Sequence, residues 1–231
     1  MEKAVPVIAI DGPSGVGKGT LCRSLALQLA WHLLDSGSLY RLTALAAARH
    51  GIALDQETQI APLAEQLEVC FQTTADGDLR ILLEGEDVTG AIRSETLGNA
   101  ASQIAALPAV RAALLQRQHN FRRPPGLVAD GRDMGTVVFP DALLKIFLTA
   151  SPAERAIRRY KQLREKGISV SLAALEQEIA ERDERDARRQ IAPLQPAVDA
   201  QILDTTRLSI GAVQQWALTR VDKQLARRRL G

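Results

Sequence analysis

Nine residues near the start of the chain, Gly12-Pro13-Ser14-Gly15-Val16-Gly17-Lys18-Gly19-Thr20, constrain its fold more than any other stretch. They follow an apolar run at 5–10 and precede a segment in which Leu21, Leu25 and Leu29 recur at the spacing of one helix face. A strand, a glycine-rich loop and a helix in that order bring backbone N–H groups and the positive end of a helix dipole to one point, which suits a phosphate. The glycines let the backbone curl so that successive N–H groups point inward. Lys18 is long enough to reach the β- and γ-phosphates of a nucleoside triphosphate. The hydroxyl that ligates Mg²⁺ in such loops usually follows the lysine directly. Here Gly19 intervenes, so Thr20 is the candidate magnesium ligand. The loop says that a nucleoside triphosphate binds, not what is done with it.

Four further short apolar runs, at 32–34, 127–129, 144–148 and 201–203, read as buried strands separated by longer helical patterns. Strands alternating with helices predict an α/β fold on a parallel sheet covered on both faces. The first helix is expected over 18–30 and the last over 210–225, ahead of the basic run Arg227, Arg228 and Arg229, which reads as a solvated helix end. Two segments break the alternation. Residues 37–121 are too many for one crossover helix and carry a small β-like piece of their own, 68–73 and 79–83 about a turn at Asp76-Gly77, so they read as an inserted subdomain. Residues 153–190 form a helical stretch interrupted near Gly167, with 10 Arg or Lys against 8 Asp or Glu, a composition that suits a mobile flap better than a core.

Composition excludes several classes. With 46% hydrophobic residues in 231, the chain can bury one globular core without disulfides or structural metal. Cys22 and Cys70 are isolated, and His32, His50 and His119 share no ligand spacing. The N-terminal apolar run is too short for a signal peptide and no stretch reaches the length of a membrane span, so no membrane partner and a cytoplasmic location are expected. A net charge of +2 with only 4 Phe, 2 Trp and 2 Tyr argues against a nucleic-acid partner. The 23 Arg against 6 Lys read, as a global figure, as genome base composition; their positions carry the information.

Those positions carry a family likeness. The loop's ending, Gly17-Lys18-Gly19-Thr20, resembles that of nucleoside monophosphate kinases, and Leu34-Asp35-Ser36-Gly37 followed by Tyr40-Arg41 resembles their acceptor-side entry. Asp130-Gly131-Arg132-Asp133-Met134-Gly135-Thr136 and Glu181-Arg182-Asp183-Glu184-Arg185-Asp186 narrow the likeness to bacterial cytidylate kinases, nearly end to end. The resemblance implies a P-loop nucleoside monophosphate kinase fold, a five-stranded parallel sheet flanked by helices. Its core would comprise 1–36, 101–152 and 191–231, with a monophosphate-binding insert at 37–100 and a helical lid region at 153–190. It implies transfer of the γ-phosphoryl of ATP to CMP or dCMP with Mg²⁺, giving CDP or dCDP and ADP, by a monomer. UMP or AMP is the alternative acceptor on the same scaffold.

The chemistry explains why arginines are needed. The acceptor is a phosphate whose second pKa is about 6, so no strong general base is required. The obstacle is two polyanions meeting in line. By resemblance, Ser36, Arg41, Arg132 and Arg182 gather on the acceptor phosphate, and Asp186 holds the ribose hydroxyls. Ser102, Arg111, Arg189 and Asp133 read the cytosine or order the residues that do, and Arg158 is the donor-side arginine. Lys18, Arg132, Arg158 and Arg182 form the catalytic set. Asp130 ends an apolar strand and could hold Mg²⁺ through water, with Asp133 as its rival. Arg182, Asp186 and Arg189 fall at i, i+4 and i+7, one face of a helix, whereas Arg188 points largely away. A guanine-reading Asn-Lys-x-Asp motif is absent, against a GTPase switch. The basic tail alone is a weak case for RNA binding.

Overall fold

A computed structural model describes residues 4–73, 79–165 and 167–230. In chain order the elements are β1 (Val7–Asp11), α1 (Lys18–Leu29), β2 (His32–Asp35), α2 (Ser36–Arg49), α3 (Glu57–Glu65), β3 (Val69–Thr73), β4 (Leu79–Leu83), β5 (Glu86–Asp87), α4 (Glu95–Ile104), α5 (Pro108–His119), β6 (Leu127–Asp130), β7 (Leu144–Thr149), α6 (Pro152–Glu165), α7 (Leu172–Ala187), β8 (Gln201–Asp204) and α8 (Ile210–Leu230). A short 3₁₀ turn, Ala91–Arg93, precedes α4, and a π turn, Met134–Val138, follows β6.

The chain divides into two units. One runs up to Asp35 and resumes at His119; the other is Ser36–Gln118. The first is an α/β layer structure. Its sheet has the order β2-β6-β1-β7-β8, and all four pairings are parallel. Strand β1 lies at the centre and is buried along its whole length, as a Val-Ile-Ala-Ile run between two neighbours must be. On one face Ile8, Ile10, Val128, Ile146 and Leu148 pack with Leu21 and Leu25 of α1 and Val213, Ala217 and Val221 of α8. Burying such side chains is worth roughly 2 kcal/mol each, so this face supplies much of the unit's stability. All five sequence-predicted strands are present in the sheet; β1 starts later than expected and extends to Asp11.

From β1 the chain crosses to β2 at one edge of the sheet, and it later returns through β6 and passes β1 to reach β7 on the other side. Crevices outside the carboxyl ends of strands at such a reversal are where open α/β sheets take ligands. Those ends carry Asp11, Asp35, Asp130, Thr149 and Asp204.

Helices α6 and α7 pair through a small core of their own, Ala156, Leu163, Leu175 and Ile179. This apolar seam was hidden in the sequence by the charge around it. Helix α6 stops at Glu165, Gly167 takes φ +74, and Ser171 caps α7 by accepting from the Ala174 N–H. The last helix does not end before the basic run. It continues to Leu230, because nothing in Arg227, Arg228 or Arg229 breaks a helix.

The second unit holds α2 to α5 and the antiparallel sheet β3-β4-β5. The expected hairpin pairs Val69 with Leu83 through Thr73 with Leu79; its expected turn at Asp76-Gly77 lies outside the described residues. Leu42, Ala46, Leu67, Ile81, Leu83, Val88 and Ile92 form its core. Among the described residues, no helix is long and apolar enough to cross a membrane.

Candidate active site

The loop after β1 is held by contacts only glycine permits. A Cβ on Gly12 would stand 2.2 Å from the Leu148 carbonyl oxygen of β7, and its φ of +144 already strains other residues. Gly15 lies against the Arg155 side chain, and Gly17, at φ +96, caps α1. The loop therefore folds tightly onto the sheet edge and delivers Lys18 and Thr20 on the first turn of α1, which spans twelve residues.

Lys18 is 7% exposed. Its Nζ donates to the Pro13 carbonyl at 2.8 Å and lies 4.0 Å from Asp130 Oδ1. Burial, with the Arg132 and Arg182 guanidinium groups adding, brings Lys18 down to about 8 against the pull of Asp130. Burial pushes the Asp130 carboxyl up to about 6, although Lys18 draws it down, and Asp35 adds to the rise. A buried ammonium and carboxylate at this distance stay ionised mainly on each other's account.

A second charged group stands nearby in the same unit. Asp186 is 1% exposed, and both of its oxygens are occupied: Arg132 Nε donates to Oδ2 at 3.0 Å, and Arg189 donates to Oδ1. Burial would raise this carboxyl, but Arg132, Arg189 and Arg182 outweigh it and hold it below the usual carboxylate range. The expected i, i+4, i+7 stripe is corrected in one respect. Helix α7 ends at Ala187, so Arg182 and Asp186 share a helix face while Arg189 lies beyond the end and turns back to Asp186. Arg188 caps the helix, is 79% exposed and pairs with Glu184. Asp133 is buried at the start of the π turn. Arg158 is tied down, with Nε on Glu154 at 2.9 Å and its two Nη atoms on Thr205.

In the second unit, Ser36 opens α2 and is buried, accepting at 2.8 Å from the Gln118 amide. Arg41 donates through Nη1 to the carbonyls of Ile92 and Ser94, at 2.7 and 2.8 Å. Ser102 is buried on α4, and Arg111, buried on α5, donates to the Ala105 carbonyl at 3.2 Å.

Three residues absent from the sequence reading matter here. Asp11 ends β1 and accepts from the Met134 and Gly135 N–H groups, both at 2.8 Å, so it fixes the segment that carries Asp130, Arg132 and Asp133. Arg155, 2% exposed, donates to the Ala150 carbonyl, to the Ser14 carbonyl of the phosphate loop, and as a fork to Asp183 of α7. Gln118 holds Ser36. A carboxylate between a buried strand and a phosphate loop could have flagged Asp11, and the seven-residue interval from Arg111 could have flagged Gln118. Nothing local distinguishes Arg155 from its neighbours Arg158 and Arg159.

The arrangement in the first unit can grip a triphosphate and hold several cations together around buried carboxylates. Comparison with known proteins agrees. The cytidylate kinase family model matches residues 8–223. A cytidylate kinase of Stutzerimonas stutzeri (strain A1501) is 62% identical over 228 residues, covering 98% of this chain and 100% of the relative. Those of Sodalis glossinidius (strain morsitans) and Salmonella arizonae (strain ATCC BAA-731 / CDC346-86 / RSK2980) are each 59% identical over 226 residues, covering 98% of this chain and 99% of the relative. On the loop, the sheet order and these matches, the chain belongs to the cytidylate kinase family.

Proposed function

We propose that this protein is an ATP-dependent cytidylate kinase that moves the γ-phosphoryl of ATP to a phosphate oxygen of CMP or dCMP, yielding CDP or dCDP and ADP. The observation that carries the reading is the juxtaposition of the glycine-shaped loop and Lys18 with Asp130, in a chain of this family. The acceptor oxygen is already ionised at neutral pH, so its attack needs alignment and charge neutralisation rather than a base. Lys18 and the loop N–H groups hold the donor phosphates. Arg182 and Arg132 stabilise the charge on the group in transfer, and Arg158 serves the donor side with the N–H groups that Glu154 and Thr205 leave.

On the acceptor, Ser36, Arg41, Arg132 and Arg182 take the phosphate. Ser102, Arg111, Arg189 and Asp133 take or order the cytosine, whose amino group and ring acceptors suit a hydroxyl and guanidinium forks. Asp186 takes the ribose; a carboxylate has about four lone-pair sites, so it can serve arginines and a sugar hydroxyl together.

Magnesium fits the donor end. Thr20 is exposed at the start of α1, and Asp130 Oδ2 lies 3.6 Å from where a Gly19 Cβ would stand, so residues with hard oxygen donors neighbour the loop's lysine, Thr20 in sequence and Asp130 in space. Bound with ATP, the ion supplies neutralisation of the donor phosphates. The paired helices α6 and α7, which span most of the 153–190 region, act as the lid that excludes water, and the insert beginning at 37 holds the monophosphate. The family likeness supports a monomer working in the cytoplasm.

A coupled assay of ADP release over CMP, dCMP, UMP and AMP tests the reading. CMP and dCMP are expected to lead; UMP or AMP outrunning CMP by about tenfold, some 1.4 kcal/mol of discrimination, overturns it.

A further inference from the structure

Helix α5 buries an unusual stripe. Val110, Arg111, Leu114 and Gln118 are its buried residues, so half of the buried face is polar. Arg111 and Gln118 are seven apart, two turns along one side. A helix that needed only to pack would place aliphatic side chains at both positions, because each buried polar group must be hydrogen-bonded to be tolerated.

Gln118 is 2% exposed and Ser36 is 3% exposed, and they meet across 82 positions of sequence, Gln118 Nε2 donating to Ser36 Oγ at 2.8 Å. The direction of this bond has a consequence. A serine hydroxyl has one hydrogen and two acceptor lone pairs. When an amide N–H fills a lone pair, the hydroxyl keeps its own hydrogen to give to another acceptor. A phosphate oxygen is such an acceptor, and a hydroxyl that already accepts a bond is polarised as a better donor.

We infer that Gln118 is a positioning residue for the phosphoryl acceptor: through its amide it holds the Ser36 hydroxyl as a hydrogen-bond donor to the phosphate of the nucleoside monophosphate. The inference rests on the reading of Ser36 as a contact of that phosphate. Gln118 itself touches no substrate. Its side chain selects the donor state of a hydroxyl that would otherwise rotate among acceptors.

The experiment uses the full-length enzyme with Ser36→Ala, Gln118→Leu, Gln118→Glu and the Ser36→Ala/Gln118→Leu pair, with KM for CMP, KM for ATP, kcat and thermal midpoint measured for each. Ser36→Ala is expected to raise KM for CMP about tenfold, the usual cost of a lost bond to a charged group. Gln118→Leu, which keeps the volume, is expected to raise it about fivefold while KM for ATP stays unchanged, and to add less than about twofold in the Ser36→Ala background. The isosteric Gln118→Glu reverses the bond, because a carboxylate accepts the serine hydrogen. Relative to wild type at the same pH, its KM for CMP is expected to exceed that of Gln118→Leu at pH 8 and to fall below it toward wild type at pH 6, as the introduced carboxyl protonates and donates again.

An unchanged KM for CMP in Ser36→Ala sinks the reading of Ser36 and the inference with it. A raised KM in Ser36→Ala together with wild-type values in Gln118→Leu overturns the inference alone, as does a fully multiplicative effect in the pair. If Gln118→Leu fails to fold, the pH dependence of Gln118→Glu decides: a flat profile matching wild type overturns the inference.

Discussion

Replacing Gly12 by alanine would place a methyl carbon 2.2 Å from the Leu148 carbonyl oxygen, where ordinary contact begins near 3.4 Å. The obstacle is backbone, so no rotamer change relieves it. Leu148 sits in β7, which pairs with β1 from Ile8 to Asp11, and opening the gap means prising those two strands apart at the centre of the sheet. The φ of +144 adds a conformational cost of about 1–3 kcal/mol for a residue with a Cβ. Overpacking against a rigid partner adds about 1–3 kcal/mol. Against these, alanine stiffens the unfolded chain and returns about 0.4–1 kcal/mol. The balance is a loss of about 3 kcal/mol, which for a protein of this size lowers the thermal midpoint by roughly 6–12 °C. Gly17→Ala is the internal control. It lies in the same loop at φ +96, but nothing stands within 4 Å of its Cβ, so only the conformational cost of about 1–2 kcal/mol applies. Thermal unfolding of the two variants, followed by far-ultraviolet circular dichroism, measures the difference. Equal midpoints would refute the claim that the Leu148 carbonyl, rather than backbone conformation alone, requires glycine at position 12.

Asp11 gives a pH prediction. Burial pushes its carboxyl up to about 7, although the Gly135 and Met134 N–H groups oppose the rise. The folded state therefore holds the proton more tightly than the unfolded chain, whose Asp pKa is 3.8, and this contribution to stability is present below about pH 4 and lost as pH rises through 7. Relative to Asp11→Asn, which cannot titrate, wild-type stability should fall by on the order of 4 kcal/mol between pH 4 and pH 7.5; parallel curves in urea titrations refute it. Arg155→Ala should lower stability by about 3 kcal/mol, because Asp183 and two carbonyls lose a buried guanidinium together; an unchanged urea midpoint refutes it. Arg188→Ala should leave turnover within about twofold, since its pair with Glu184 is solvated, whereas Arg182→Ala should cut kcat by about 100-fold; equal losses refute the division.

The three inner strands β6, β1 and β7 were legible because a strand buried on both faces must be a continuous apolar run. The expectation of buried strands is corrected for β2 and β8, which lie at the sheet edges and stay partly exposed. The phosphate loop was legible because its glycines have a local steric cause, which Gly12 shows directly. What stayed hidden was made by distance in sequence. The Arg155 fork reaches Asp183 over 28 positions, and Asp11 meets Met134 over 123. The end of α7 was misjudged by two residues because Arg188 and Arg189 are good helix formers; the helix stops where Arg189 turns back to a buried carboxylate worth more than one further turn.

The carboxylate of Asp186 has a consequence for how the enzyme meets its substrates. On the roles proposed above, Arg132 and Arg189 already face that anion, so a phosphate or base arriving there meets positive charge that is partly balanced rather than bare. Few mobile salt ions need leave, so affinity should decline gently as ionic strength rises, unlike the steep fall of proteins that grip long polyanions. The net affinity is a difference between two pairings rather than a sum of contacts. Such a site can hold a doubly charged ligand firmly enough to align it and still let a more highly charged product go.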